Sequence, residues 1–385
     1  MVEIVFVHGV NTRREGKVTE YDGYVARRHA AFAQYSLGGV EHGFHDPYWG
    51  GSAANPADGY LPGEESVSFS LATESVGGLE PLDETSTLLS AARDDFSATV
   101  TTLAIGVAEE AKSESDRSMA GDLAEYLMLY DTGDGKASRP GWLDDSDMNT
   151  DRDFVNRLTL EAKPAEQVES LGLGDVLGRI GGFFNKTASL PVVKIARMIS
   201  PTLAIFLGDS FVYLHEGKSR NAIRAILRTD LIAAARKANA RRVPLIVMGH
   251  SMGANILYDM LAEEKGGGVS GEVAAIEAEL DFPLHIDLFM SVGTQVGLFE
   301  TLGLFRGEPA QGSKAPIPSR IKRWWHVYNR MDVLSFTAAP YFEGVEEFSV
   351  DTNAHVVSAH GAYFISPVFH KRLRKRLQDA GLIAP

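Results

Sequence analysis

A serine stands between two glycines where an apolar stretch changes its periodicity. The segment VPLIVMGHSMGANILYDML, residues 243–261, begins as the uninterrupted apolar run of a buried strand and continues with helical spacing. Its GHSMG letters fit the pattern G-x-S-x-G, in which a sharp strand-to-helix turn exposes a serine hydroxyl. Gly249 and Gly253 suit such a turn, because a Cβ at either position would collide with neighbouring backbone. The pattern predicts that Ser251 is a nucleophile.

A serine nucleophile needs a histidine base. The segment NAHVVSAHGAYF offers His355 and His360 in a loop after the last predicted strands. We favour His360, because His360 and Gly361 precede a helix-entry pattern that could hold the imidazole ring. The alternative is that His360 is an ordinary surface histidine.

The base in turn needs an acid to orient it. In WWHVYNRMDVLSF a buried strand ends at Tyr328, and Asp332 lies four residues further on. If the strands are parallel, this strand end lies on the same edge of the sheet as Ser251. Asp351 is the rival acid, being nearer to His360 in sequence. A capping or solvated role for Asp332 is the structural alternative.

The order Ser251, Asp332, His360 resembles that of the α/β-hydrolases. The first strand runs into VFVHGVNT, which is similar to the His-Gly oxyanion loop of lipases, and GHSMG is similar to their nucleophile elbow. Within the superfamily the chain most resembles lipase-like proteins related to GPI-inositol deacylase and bacterial triacylglycerol lipases. The resemblance covers residues 1–50 and 209–385.

Two backbone N–H groups are needed to stabilise the oxyanion that forms when a serine attacks an acyl carbon. Met252 supplies one by its position, and the resemblance implies that Val10 supplies the other. The elbow and the oxyanion loop are then supported by His8, Gly9, Gly249, His250 and Gly253. An alternative role for His8, as the catalytic base, is disfavoured by its place on the far side of the elbow.

Strand patterns alternate with helix patterns along most of the chain. The strands are predicted at residues 2–7, 40–48, 243–248, 284–292 and 324–328, and the helices at 21–35, 84–112, 119–130, 171–184, 220–239 and 370–382. Such alternation predicts an α/β fold with a mostly parallel sheet and helices on both faces. With the resemblance, the expected architecture is an α/β-hydrolase core carrying a large, mainly helical cap.

We expect the core to comprise residues 1–49 and 206–385, and the insertion residues 50–205. Acidic residues strongly outnumber basic ones from position 56 to 153, which predicts a solvated, partly irregular first part. Residues 171–205 are more apolar. Phe183, Phe184 and Ile195 could belong to a mobile lid over the serine or to an ordinary core, and the sequence leaves both open.

Composition narrows the classes of function. The net charge of −14 argues against a nucleic-acid partner, and the absence of cysteine excludes disulfides and thiolate sites. No export signal or membrane span is visible, so we expect a cytoplasmic protein. No cofactor or metal is implied, although DTGDGK and DDSDMNTDRD share the oxygen-rich composition of calcium loops.

The predicted function is a serine hydrolase that cleaves carboxylic esters, with lipid acyl esters favoured and transient contact with a membrane surface. Three alternatives stay open: an amidase or peptidase, a phospholipase-type defence effector, and a catalytically silent binding member of the fold. The sequence does not indicate an oligomeric state.

Overall fold

A parallel sheet forms the centre of the protein. The computed structural model describes residues 1–10, 12, 14, 21–52, 88–110, 114–130, 138–162, 209–215, 217–264, 268–305, 314–350 and 359–385. Six strands lie in the order β2-β1-β3-β4-β5-β6, and all neighbouring pairs are parallel. They are β1 (Val2–Val7), β2 (His42–His45), β3 (Leu245–His250), β4 (Leu288–Val292), β5 (Trp324–Tyr328) and β6 (Val345–Ser349).

Ten α-helices whose bounds are described accompany the sheet, and residues 209–214 are helical as well. They are α1 (Tyr21–Ala31), α2 (Leu88–Asp94), α3 (Phe96–Glu110), α4 (Glu114–Met128), α5 (Asp151–Ala162), α6 (Lys218–Arg241), α7 (Met252–Leu261), α8 (Gly271–Leu280), α9 (Val296–Thr301) and α10 (Pro367–Asp379). Helix α1 continues into a π-helical turn, Phe32–Ser36, and a short 3₁₀ turn, Tyr363–Ile365, precedes α10.

The two faces of the sheet are covered by different helices, because successive side chains of a strand point to opposite faces. On one face, Val5 and Val247 pack in a core shared with α6, α7 and α8. On the other face, Phe6 and Met248 pack with the π-helical turn and with α10. All six positions of β1 and of β3 are buried, as expected of strands covered on both sides. The predicted α/β class is confirmed.

The helices of the acidic insertion form a second apolar core. Phe96, Trp142 and Phe154 are buried among α2 to α5, and Val368 of α10 joins them. Helices α3 and α4 therefore pack against α10. The single helix expected at 84–112 is two helices, because Asp95 ends the first and its Oδ1 accepts the Ala98 N–H 2.8 Å away, which begins the second.

The acidic stretch DDSDMNTDRD shares the oxygen-rich composition of calcium loops. In the structure, part of it caps helices. Asp153 Oδ2 accepts the Thr150 N–H at 2.9 Å, and the Thr150 hydroxyl caps α5 in return. Asp151 Oδ1 accepts the Leu89 N–H at 2.9 Å, which joins α5 to α2. Among the described residues no cluster of metal-ligating side chains occurs.

The strand order creates a switch point between β1 and β3. From β1 the chain continues through α1 to β2 on one side, and from β3 it continues through α7 to β4 on the other. Loops that leave neighbouring parallel strands in opposite directions open a crevice at the carboxyl edge of the sheet, where ligands bind in open α/β folds. Gly9 and Ser251 follow these two strands.

Some elements differ from expectation. Strand β6 and helices α5, α8 and α9 were not predicted. Strand β6 is an edge strand whose residues are half-exposed, so its apolar pattern is weak. None of the described helices is long and apolar enough to cross a membrane. The lid candidates Phe183, Phe184 and Ile195 lie outside the described residues, as do His355 and Asp351.

Candidate active site

Ser251 occupies a strained turn between β3 and α7. Its backbone has φ 52° and ψ −128°, a region that non-glycine residues rarely adopt. The turn is fixed by the Ser251 N–H, which donates to the Val292 carbonyl at 2.9 Å. Both flanking glycines are needed for close approach: a Cβ at Gly249 would lie 2.4 Å from Ala254 Cα, and one at Gly253 would lie 2.4 Å from the Val7 carbonyl oxygen.

His360 and Asp332 are brought together although they are far apart in sequence. His360 Nδ1 lies 2.8 Å from Asp332 Oδ2 and 3.0 Å from Oδ1. A carboxylate can only accept, so Nδ1 carries the hydrogen of the neutral ring. The lone pair of the neutral imidazole is therefore on Nε2, which is the arrangement a general base requires.

The Asp332 carboxylate is buried and held by donors. Besides His360, it accepts the Leu334 N–H at 3.0 Å and the Tyr363 hydroxyl at 2.9 Å. Burial raises the pKa of Tyr363 well above its usual value, and the negative charge of Asp332 adds to this rise. The hydroxyl thus stays protonated and can donate. These bonds offset the cost of burying a carboxylate.

His250 connects the elbow to the histidine loop. Its Nε2 donates to the His360 carbonyl oxygen at 2.9 Å, and the two imidazole rings lie with centroids 4.8 Å apart. Burial lowers the pKa of His250 well below its usual value, and a positive charge on His360 would lower it further. His250 therefore stays neutral. Because it directly precedes Ser251, its bond to the His360 carbonyl holds the backbone of His360 next to the elbow.

The loop after β1 lies against the elbow. A Cβ at Gly9 would be 2.9 Å from Ser251 Cβ, so only a glycine lets the loop come this close. His8 Nε2 accepts the Trp49 N–H at 3.2 Å, and its Nδ1 contacts the Gly9 carbonyl oxygen at 2.8 Å. The His8 and Trp49 rings stack with 5.0 Å between centroids. Both ring nitrogens of His8 thus take part in holding the loop. This favours a supporting role for His8 over a role as a base. Val10 follows at once and is half-buried.

Two polar atoms that face no partner among the described residues, one on Ser251 and one on His360, are buried at this edge of the sheet. In the described part of the chain, neither Ser251 Oγ nor His360 Nε2 has a hydrogen-bond partner. A buried polar atom without a partner is costly and uncommon, and it marks a place where a ligand or a reaction completes the bonding. Bonds between nucleophile and base are often long in an unliganded site and tighten when substrate binds.

A second buried serine–histidine pair provides a contrast. Ser291 Oγ lies 2.8 Å from His326 Nδ1 and accepts the Trp324 indole N–H, also at 2.8 Å. His326 Nε2 donates to the Phe336 carbonyl at 2.7 Å. Both nitrogens of this histidine are engaged within the protein, and burial lowers the pKa of His326. The pair is a structural link between β4, β5 and the loop that follows β5.

No protein-family model, no curated protein and no solved structure matches the chain. What the protein does must therefore be argued from the geometry of this site.

The structure brings together nearly all the residues predicted for the site. Asp332, His360, His250, Gly9 and Ser251 meet at the carboxyl edge of the sheet. Met252 begins α7 and is buried directly after the serine. Sequence reasoning missed Tyr363 and Trp49, which hold Asp332 and the loop after β1. The letters AYF after His360 indicate only a helix entry, and nothing in the sequence signals a role for Trp49.

Proposed function

We propose that the protein is a serine hydrolase of the α/β-hydrolase fold that cleaves carboxylic esters through an acyl-enzyme. Ser251 is the nucleophile, His360 the general base and acid, and Asp332 the group that orients His360. The observation that carries the proposal is the combination of a strained, buried Ser251 with an imidazole whose Nδ1 is fixed by a carboxylate and whose Nε2 is left without a partner.

The proposed reaction has two halves. The Ser251 oxygen attacks the carbonyl carbon of the ester while His360 Nε2 takes the hydroxyl proton, giving a tetrahedral oxyanion. Collapse of this intermediate breaks the bond to the alcohol oxygen, which leaves with the proton from His360. Water then attacks the acyl-enzyme with His360 again as the base, releasing the acid and restoring Ser251.

The oxyanion is assigned to the N–H groups of Val10 and Met252. Met252 is the first residue of α7, so its N–H lies at the positive end of a helix dipole, directly after the nucleophile. Gly9 lies against Ser251, and Val10 is the next residue of the same loop. Each such donor contributes about 3 kcal/mol to stabilising the transition state.

The loop around Asp332 supports a lipid acyl ester as the substrate class. Met331, Val333 and Phe336 are 42%, 54% and 40% exposed, and all three flank the buried acid. Exposed apolar side chains within a few residues of a reactive group suit an apolar chain or transient contact with a lipid surface. A cytoplasmic setting remains part of the proposal and rests on the cysteine-free sequence.

Active-site labelling tests the proposal. A fluorophosphonate should modify wild-type protein at Ser251, and the Ser251→Ala variant should be neither labelled nor able to hydrolyse p-nitrophenyl esters. Ser291→Ala is the matched control, because it removes a second buried serine that also contacts a histidine, and it should retain labelling. Modification at another residue would refute the assignment.

A panel of substrates separates the alternatives. Hydrolysis of p-nitrophenyl esters that rises with chain length, and phospholipid hydrolysis in vesicles, would support a lipid ester. Faster turnover of matched anilides would instead indicate an amidase or peptidase. A folded protein that is neither labelled nor active would indicate a silent binding member of the fold.

A further inference from the structure

The loop that carries Asp332 has few apolar anchors. It runs from Asn329 to Phe336 after β5, and most of its large apolar side chains point outward: Met331, Val333 and Phe336 are substantially exposed. Leu334 is buried and packs in the core beneath the sheet. Packing therefore fixes this loop at one residue, and polar bonds must set the rest of its geometry.

The peptide groups of Leu334 link the acid to a buried glutamine. The Leu334 N–H donates to Asp332 Oδ1 at 3.0 Å. The Leu334 carbonyl accepts a hydrogen bond from Gln295 Nε2. Gln295 is 1% exposed and precedes α9, in the loop that follows β4. The residue that holds the catalytic carboxylate is thus itself held by Gln295.

The orientation of the Gln295 amide is fixed from the nucleophile side. Asn255, on α7 one turn after Ser251, donates from Nδ2 to Gln295 Oε1 at 2.9 Å. Its Oδ1 accepts the Thr294 hydroxyl at 2.5 Å. Because Gln295 Oε1 already accepts, its nitrogen must face the Leu334 carbonyl. Asn255, Thr294 and Gln295 are all buried, and the side-chain amides of Asn255 and Gln295 make a continuous chain of bonds from the elbow helix to the acid loop.

We propose that Gln295 is a positioning residue for the Ser251–His360–Asp332 site, coupling the helix that carries the nucleophile to the loop that carries the acid. This inference rests on the proposed function for its catalytic consequence. The structural part, that Gln295 sets the position of Asp332 against His360, stands on the hydrogen bonds alone. A displacement of the acid by about 1 Å is enough to cost about 10²-fold in rate.

The test is Gln295→Leu, which keeps the size of the side chain and removes its donor. We expect kcat for a p-nitrophenyl ester to fall by about 10- to 100-fold with little change in KM, because ground-state binding does not use the acid. Asn255→Ala should give a smaller loss of the same kind. Asn255→Ala is also the variant that tests the inference if Gln295→Leu fails to fold.

Ser270→Ala is the matched control. Ser270 is buried, and its hydroxyl donates to the carbonyl of Met260 in α7 at 2.6 Å. Like Gln295 it is a buried polar residue that bonds a backbone carbonyl, but its bond does not lead to the acid loop. Its loss should lower stability and leave kcat unchanged. A double variant gives a further check: in an Asp332→Asn background, Gln295→Leu should cost almost nothing more, since both act through one carboxylate.

A second readout does not depend on activity. The His360 Nδ1 proton, bonded to Asp332, should give a downfield proton NMR signal that shifts or broadens in Gln295→Leu and is unchanged in Ser270→Ala. Unchanged kcat together with an unchanged signal would overturn the inference, as would losses that add fully to those of Asp332→Asn. A wild-type protein without hydrolase activity would instead overturn the proposed function, while the NMR comparison would still decide the role of Gln295.

Discussion

Replacing Asp332 by asparagine should separate catalysis from stability. The carboxylate accepts from the Leu334 N–H at Oδ1, from the Tyr363 hydroxyl at Oδ2 and from His360 Nδ1 at both oxygens. An asparagine offers one oxygen and one NH₂ group. The backbone N–H of Leu334 cannot turn away, whereas the Tyr363 hydroxyl can rotate and accept, so the amide oxygen will take the Oδ1 position. The NH₂ group then faces His360 Nδ1.

This arrangement reverses the tautomer of His360. Facing a donor, Nδ1 must accept, so the ring hydrogen moves to Nε2, which can no longer take the Ser251 proton. By comparison with hydrolases in which the same change has been made, kcat should fall by about 10⁴-fold, equivalent to about 5.5 kcal/mol in the barrier. The free energy of unfolding should change by only about 1 kcal/mol, since every buried group keeps a partner.

The assay combines initial rates on a p-nitrophenyl ester with urea denaturation of the same samples. Asp287→Asn is the matched control: Asp287 Oδ2 accepts the Leu245 N–H at 3.0 Å, and its other oxygen lies 3.4 Å from His285 Nε2, so it is also a carboxylate between a backbone donor and a histidine. It should retain full activity. If Asp332→Asn keeps more than about a tenth of wild-type kcat, the assignment of the acid is refuted and Asp351 becomes the candidate.

Three further changes test other parts of the site and fold. Ser251→Ala should lower kcat by about 10⁴- to 10⁶-fold, and adding His360→Ala should cost little more, because the residues act as a unit; additive losses would contradict the model. Gly9→Ala places a Cβ 2.9 Å from Ser251 Cβ and should lower kcat by about 10- to 100-fold in a folded protein, whereas Gly141→Ala, with open space at its Cβ, should be silent in the same assay. Burial lowers the pKa of His370 from 6.5 to about 4, so the unfolded chain binds more protons at this residue between these values. His370 alone should lower the free energy of unfolding by about 3 kcal/mol as pH falls from 6.5 to 4, and His370→Gln should remove that part of the slope in denaturation curves measured across the range.

The elbow could be predicted from sequence because its determinants are local. Gly249, Ser251 and Gly253 lie within one turn, and the steric need for both glycines follows from backbone geometry alone. The placement of Asp332 and His360 required only that parallel strands end at the same edge of the sheet. Their contact at 2.8 Å agrees with that expectation, although their roles remain part of the proposal.

The supporting residues could not be predicted because their partners are distant in sequence. Gln295 bonds Leu334, and Trp49 bonds His8, across loops that the fold alone brings together. Neither residue belongs to a motif, and a buried glutamine in an apolar segment has no pattern that distinguishes it from one on the surface. Strand β6 was missed for a related reason: at the edge of the sheet it buries little, so it lacks the apolar run that revealed β3.

The backbone of Ser251 gives a physical reason to prefer chemistry over a merely structural turn. In the described part of the chain, three residues other than glycine have a positive φ: Arg242, Ser251 and Asp281. Arg242 and Asp281 end helices in the left-handed conformation that such caps commonly adopt. Ser251 has ψ −128° and lies outside that region, where a side chain costs about 1–3 kcal/mol and glycine would cost far less. A turn that served only to connect β3 to α7 would be more stable with glycine. The serine therefore occupies this position against its local conformational cost, next to the loop after β1 and directly after His250, which bonds the histidine loop.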